Sequence, residues 1–243
     1  MLSKNEIKRI QSLKQKKFRQ EYQLFVAEGI KTITELLNSS FELHQLYATA
    51  SCNFNAKKHT VITEAELKKI SFLKTPNKAL AVFKIPVAKA VEFNNLVVAL
   101  DDVRDPGNLG TIIRLCDWFG IQDLVCSPET VDCFNPKVIQ ATMGSITRVN
   151  ISYTELEDLI ENTESNTFGA FMDGENVYAS QLPKNGILVL GNEANGISKS
   201  IENLVDMRIS IPRFGSIQET ESLNVATATA ILLSEFKRNF TEM

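Results

Sequence analysis

Apolar residues recur along this chain with two periods, and the alternation between them predicts its elements. Ile7, Ile10 and Leu13, at spacing three, mark an amphipathic helix over Asn5 to Lys16. Leu24 to Ala27 reads as a short strand, Glu28 to Leu37 returns to helical spacing through Ile30, Ile33, Leu36 and Leu37, and His44 to Ala48 reads as another strand. Thr63-Glu64-Ala65-Glu66 is a capping box, in which the hydroxyl accepts from the amide three residues on and the glutamate reaches back; it predicts a helix through Ile70. Ala79 to Ile85 is a strand closed by Pro86. These segments form a small α/β unit over residues 1–86, followed by a linker over 86–95 that holds Pro86 and the pair Asn94-Asn95.

From residue 96 the pattern changes. Leu96 to Leu100 is an uninterrupted apolar run, as in a strand buried on both faces. Helical spacing follows from Asn108 to Phe119 and stops at Gly120. Leu124 to Cys126 is a strand. Asn135-Pro136 is an N-cap with proline at the first helical position. Val149 to Ile151 is a strand, and Thr154 to Glu157 reads as a second capping box opening a helix to about Glu161. Strands are predicted over Thr167 to Met172, Gly186 to Leu190 and Met207 to Ile211, and a last helix over Leu223 to Phe240. Strands alternating with helices imply a mainly parallel sheet with helices on both faces, in a second domain over 96–243.

Charge sharpens this division. The net charge of -3 hides a split: residues 1–86 carry 15 Lys+Arg against 7 Asp+Glu, and the remainder 11 against 22. A basic first third on an acidic body suggests a polyanion as partner for that third. Its densest run is Lys4, Lys8, Arg9, Lys14, Lys16, Lys17 and Arg19. No apolar run reaches the ~18 residues of a membrane helix, and the charged N-terminus does not read as a secretory signal, so the cytoplasm is the expected compartment. Cys52, Cys116, Cys126 and Cys133 form no C-x-x-C pair and are expected as reduced thiols, and with only His44 and His59 beside them no metal site is expected.

Three segments stand out for their chemistry, each just after a predicted strand, where open α/β sheets bind ligands. The first is Asp105-Pro106-Gly107-Asn108-Leu109-Gly110 followed by Thr111-Ile112-Ile113-Arg114; its glycines permit close backbone approach. The second is Leu190-Gly191-Asn192-Glu193-Ala194-Asn195-Gly196-Ile197, a carboxylate between two glycines. The third is Ile211-Pro212, Gly215, then Ser222-Leu223-Asn224-Val225-Ala226-Thr227-Ala228, in which Ser222 suits an N-cap and the alanines suit close packing. Taken singly, each is also compatible with an ordinary turn or cap.

Taken together and in this order, the three segments resemble the motifs of the SpoU branch of the SPOUT methyltransferases, the TrmH family, over roughly residues 97–240. Phe25-Val26-Ala27-Glu28-Gly29 and Thr75-Pro76-Asn77 before Leu80-Ala81-Val82 resemble that family's small substrate-binding domain. The resemblance implies a C-terminal α/β trefoil-knot domain, S-adenosyl-L-methionine as cofactor, a homodimer with active sites at its interface, and methyl transfer to a ribose 2′-hydroxyl of structural RNA, tRNA or rRNA. By motif, Gly191, Ile211 and Leu223 would contact the cofactor, and Asn108, Arg114, Glu193, Ser222 and Asn224 would form the catalytic cluster. The same scaffold also admits methylation of an RNA base, or RNA binding without catalysis. Three positions depart from the family pattern: Asp105 replaces the usual Asn, Arg213 the usual Met, and the stretch from Gly215 to Ser222, with Glu219 and Glu221, is longer by about three residues.

Overall fold

The computed structural model describes residues 1–52, 54, 56, 58–215 and 222–238. It divides into two units. The first is Met1–Val87 together with Asp132–Thr147, and the second is Ala88–Val131 with Arg148–Met243. The 16-residue segment from the middle of the chain thus packs with the N-terminal unit, although the hydrophobic pattern puts it in the domain that begins at residue 96.

In the first unit, β1 (Leu24–Glu28), β2 (Leu43–Ala48), β3 (His59–Val61) and β4 (Ala79–Lys84) form a sheet in the order β1-β4-β2-β3. β4 is antiparallel to β1 and β2, and β3 joins β2 in parallel. The helix expected over Asn5 to Lys16 is two: α1 (Lys4–Ser12) and α2 (Lys16–Tyr22). Arg19 sits at the break: it is 2% exposed, and its guanidinium donates to the carbonyls of Leu13 and Lys14, each at 2.8 Å, which α1 leaves open. The same group pairs with Asp132, Nε donating to Oδ2 at 2.8 Å. Arg19 therefore leaves the basic surface to which its sequence neighbours belong.

α3 (Ile30–Leu37) starts from Gly29, whose φ of 92° favours glycine. α4 (Glu64–Ile70) carries the expected capping box: Thr63 Oγ1 accepts from Glu66 N at 3.2 Å, and Glu66 accepts from Thr63 N at 3.0 Å. The Thr63 and Leu2 amides, both donating to it, hold the Glu66 carboxyl down at about 2. α1 has a second box, Ser3 with Glu6. Leu24, Val26, Tyr47, Leu67, Leu80 and Val82 belong to the core. On the opposite face of β1 the Phe25 ring meets those of Phe41, Phe83 and Phe134. Phe134 leads into α6 (Pro136–Thr142), which begins at Asn135 and Pro136 as the sequence predicts.

The second unit is a six-stranded sheet of β5 (Leu96–Leu100), β6 (Asp123–Cys126), β7 (Asn150–Tyr153), β8 (Thr167–Asn176), β9 (Gly186–Leu190) and β10 (Met207–Ser210). The order is β10-β8-β9-β5-β6-β7, and every pairing is parallel. Val97, Ala99, Val125, Ile187 and Val189 cluster with Leu156 and Ile160 of α7 (Leu156–Glu161) and Ile201 of α8 (Lys199–Glu202). Strand side chains alternate, so Leu96, Val98 and Leu188 face the other way and are equally buried. α9 (Val225–Lys237) packs with α5 (Pro106–Trp118), and its Phe236 lies edge-on to Phe168 of β8, at 5.3 Å between ring centroids.

Two expected caps differ. Thr154 does not cap α7; its amide bonds Cys126 O at 3.1 Å and extends the strand ladder, so the helix starts after Glu155. Glu157 instead accepts from Ser200 Oγ at 2.6 Å. Ser222 does not cap α9; Asn224 does, its Oδ1 accepting from Ala226 N and Thr227 N at 3.0 and 3.2 Å. The far end of the expected helix, Phe240, and the long stretch with Glu219 and Glu221 lie outside the described residues. Among the described residues no helix is long and apolar enough to cross a membrane. Burial pushes the Cys116 thiol up, far from a reactive range.

Candidate active site

Because all six strands of the second unit run the same way, β5, β9 and β10 deliver their following segments to one end of the sheet. β5 runs into the first motif. Asp101 N bonds Leu190 O, Asp102 holds a left-handed φ of 59°, and Asp105 caps α5 by accepting from Asn108 N at 2.8 Å. The change from Asn to Asp at 105 thus keeps the cap, which either side chain supplies. α5 begins at Pro106, two residues before the predicted start, because this cap lies upstream of the first apolar position.

β9 runs into the second motif, which folds back on itself. Asn192 and Gly196 exchange both backbone hydrogen bonds at 2.9 Å. A Cβ on Gly191 would collide with the Gly196 carbonyl carbon and the Ile197 nitrogen, so no other residue fits there. Asn192 locks the turn: Oδ1 accepts from Ala194 N at 2.8 Å and Asn195 N at 3.2 Å, while Nδ2 donates to Asp102 O at 2.7 Å. Asp101 accepts from Ser198 N at 2.6 Å and pins the other side. The sequence reading missed both residues. An Asn two residues before a free amide is a turn-forming signal, and Asp101 directly follows a buried strand; either could have drawn attention to them.

These turns bring three of the five expected catalytic residues together. Asn108 Nδ2 donates to Glu193 Oε1 at 2.6 Å, and Asn224 Nδ2 donates to Asn108 Oδ1 at 2.9 Å. With Asn224 Oδ1 occupied by the α9 amides, the bonds run one way, from the start of α9 through two side-chain amides to the carboxylate. Both ends of the Asn108 amide are used, which fixes its orientation. Glu193 Oε2 has no protein partner among the described residues.

Arg114 and Ser222 stand apart. Arg114 is six residues beyond Asn108 on α5, hence about 120° round the helix and ~9 Å along it. It is exposed, and no hydrogen bond or ion pair holds its guanidinium among the described residues. Ser222 is exposed and likewise unbonded. Of the expected cofactor residues, Gly191 follows β9 and Ile211 follows β10, both at the carboxyl end of the sheet, and Leu223 precedes Asn224. Leu223 is 46% exposed, an apolar side chain left open beside the polar trio.

Residues 95–234 match the SpoU rRNA Methylase family, and residues 4–81 match the MRM3-like substrate binding domain. The chain belongs to the SpoU rRNA methylase family and is an RNA methyltransferase that uses S-adenosyl-L-methionine. It is 27% identical to the 23S rRNA (guanosine(2553)-2'-O)-methyltransferase RlmP of Bacillus subtilis, over 95% of this chain and 96% of that one. Among solved structures, a TrmH-family protein from Porphyromonas gingivalis superposes with a TM-score of 0.89 at 38% identity, covering 98% of this chain and 99% of that one. An AdoMet-bound rRNA methyltransferase from Sinorhizobium meliloti gives 0.87 at 28% identity, covering 100% and 97%.

Proposed function

We propose that this chain methylates a ribose 2′-hydroxyl of ribosomal RNA, with Arg114 and Glu193 touching the substrate and Asn108 and Asn224 positioning Glu193. Bound S-adenosyl-L-methionine supplies an electrophilic methyl group on a sulfonium; Gly191, Ile211 and Leu223 would hold it. A ribose hydroxyl is a weak acid, so attack requires fixed geometry, stabilisation of the developing alkoxide and an outlet for the proton. Arginine stays protonated and cannot serve as a simple base. Arg114 instead grips the adjacent phosphate and stabilises alkoxide charge. Glu193, tied at Oε1, offers Oε2 to the ribose hydroxyl and takes up its proton. The one-way hydrogen-bond line from α9 to Glu193 is the observation that carries this assignment.

The separation of Arg114 from Asn108 around α5 supports a homodimer in which Arg114 serves the trio of the other copy. Membership of the SpoU rRNA methylase family supports a trefoil knot in the second unit. The expected compartment is the cytoplasm. RNA affinity comes chiefly from the basic N-terminal unit, and RlmP's substrate favours large-subunit rRNA as the target.

Transfer of tritium from labelled cofactor to rRNA, followed by identification of the nucleoside, tests the reaction; label on a base would overturn it. Mixing inactive Arg114→Ala and Glu193→Ala chains tests the shared site. A dimer predicts recovery of about a quarter of the wild-type activity, since half the dimers then hold one intact site. No recovery would place each site within a single chain.

A further inference from the structure

The basic residues of the N-terminal unit are not equivalent. Arg19 is buried, and Lys14 and Lys17 lie over their own phenylalanines, Phe72 and Phe18. A different group of cations converges at one end of the four-stranded sheet. Leu24 of β1 pairs with Lys84 of β4, and Phe83 pairs with Leu43 of β2, so the residues just before β1 and β2 share that end with Lys84. They include Glu42, directly before β2, and Tyr22, two residues before β1. Tyr22 is 37% exposed and stacks on Phe18 at 6.1 Å, and the Arg9 guanidinium lies 5.3 Å from the Tyr22 ring centre. Lys58 reaches the same end, its Nζ 3.5 Å from Leu43 O. Burial and the cations of Arg9, Lys58 and Lys84 together hold the His44 imidazole below its ordinary value, against the opposing charge of Glu42. One half-buried imidazole thus feels all three cations.

We propose that Arg9, Tyr22, Lys58 and Lys84 form a docking face for an unpaired stretch of the RNA substrate. A base stacks on Tyr22 in place of the Arg9 guanidinium, and the freed Arg9 meets a phosphate together with Lys58 and Lys84. This rests on the reading of the chain as an RNA methyltransferase and adds which surface grips the RNA and in what form. Three features select single-stranded RNA over a protein or a duplex. The cations share one sheet end with an exposed aromatic ring, on which Arg9 already lies, and a ring takes any unstacked base but none inside a helix. The exposed cation–π contact that must be given up is weaker than a base stack. Two acids of this region are already engaged: Glu42 with Lys84 at 2.8 Å, and Glu6 in the cap of α1, so at Lys84 a phosphate competes with an exposed ion pair.

The test uses the full chain and fluorescence anisotropy of a short labelled RNA oligonucleotide, once single-stranded and once as a duplex. Tyr22→Ala is expected to weaken single-strand binding by about 10-fold and duplex binding by no more than about 2-fold. Tyr22→Phe is expected to restore it, since the ring and not the hydroxyl is used. Replacing Arg9, Lys58 and Lys84 together by Gln is expected to flatten the salt dependence by about two units of slope. Cofactor titration of the same preparations should match the wild type. A Tyr22→Ala chain that binds the single strand as the wild type does, or a triple variant with unchanged slope, overturns the docking face while leaving the enzyme intact. A wild-type chain that neither binds nor methylates RNA overturns the enzyme reading, and the face with it.

Discussion

The two units use polar side chains in different ways. In the N-terminal unit they are dispersed: two capping boxes, a buried Arg19–Asp132 pair, and cations spread over helices and one sheet end. In the parallel-sheet unit the informative ones gather where β5 and β9 end, bonded to one another in a fixed direction. The first arrangement suits a partner recognised by charge and by flat surfaces, which tolerates loss of single contacts. The second suits chemistry, in which one misdirected donor changes the outcome.

Substitutions at five positions test that contrast. The largest expected effect is structural. Arg19→Ala strands Asp132 and removes donors from two carbonyls, so urea denaturation should show a loss of about 3–5 kcal/mol. Lysine should not rescue it, lacking the fork that serves three acceptors at once. A loss under about 1 kcal/mol would put the pair in the class of surface ion pairs and blur the contrast. Next is Arg114→Ala. Single-turnover methylation should fall by at least ~100-fold while cofactor affinity holds, and Arg114→Lys should recover little. Near-normal turnover would remove Arg114 from the reaction.

Asn108→Asp is subtler. It keeps shape but turns the donor that faces Glu193 into a second acceptor, so the rate should fall by about 10-fold or more. Relative to wild type, it should recover as pH is lowered and the two carboxyls come to share a proton. A pH-independent loss would mean that Asn108 does more than hold Glu193. The smallest effect is expected for Lys4→Gln or Lys8→Gln, each lowering the salt slope of RNA binding by about 0.7–0.9 with no change in turnover at saturating RNA.

Most elements were legible because each carried a local signal: apolar periodicity for the strands, Asn135-Pro136 and the Thr63 box for helix starts. Local signals failed where a distant group decided the outcome. Between α1 and α2, Arg19 binds the carbonyls of Leu13 and Lys14, and nothing in the spacing of Ile7, Ile10 and Leu13 reports that. Thr154 loses its cap to the strand ladder, and Ser222 yields to Asn224, two residues on, which meets the α9 amides itself. At the site, motif order identified Asn108, Glu193 and Asn224, which touch. It could not report that Asn192 and Asp101 brace the turn, since their partners are backbone atoms.

The N-terminal unit also has a history dictated by its chain path. Its core is incomplete until residues 132–147 arrive, because Phe134 packs on Phe25 and Asp132 neutralises Arg19. During synthesis, residues 1–87 therefore emerge without that segment and wait while β5, α5 and β6 are made. The two units are thus interleaved along the chain, unlike consecutive domains. A gene fragment ending at residue 87 would encode a domain with an unpaired buried cation and an uncovered aromatic face. Grafting this unit onto another enzyme would require carrying the internal segment along with it.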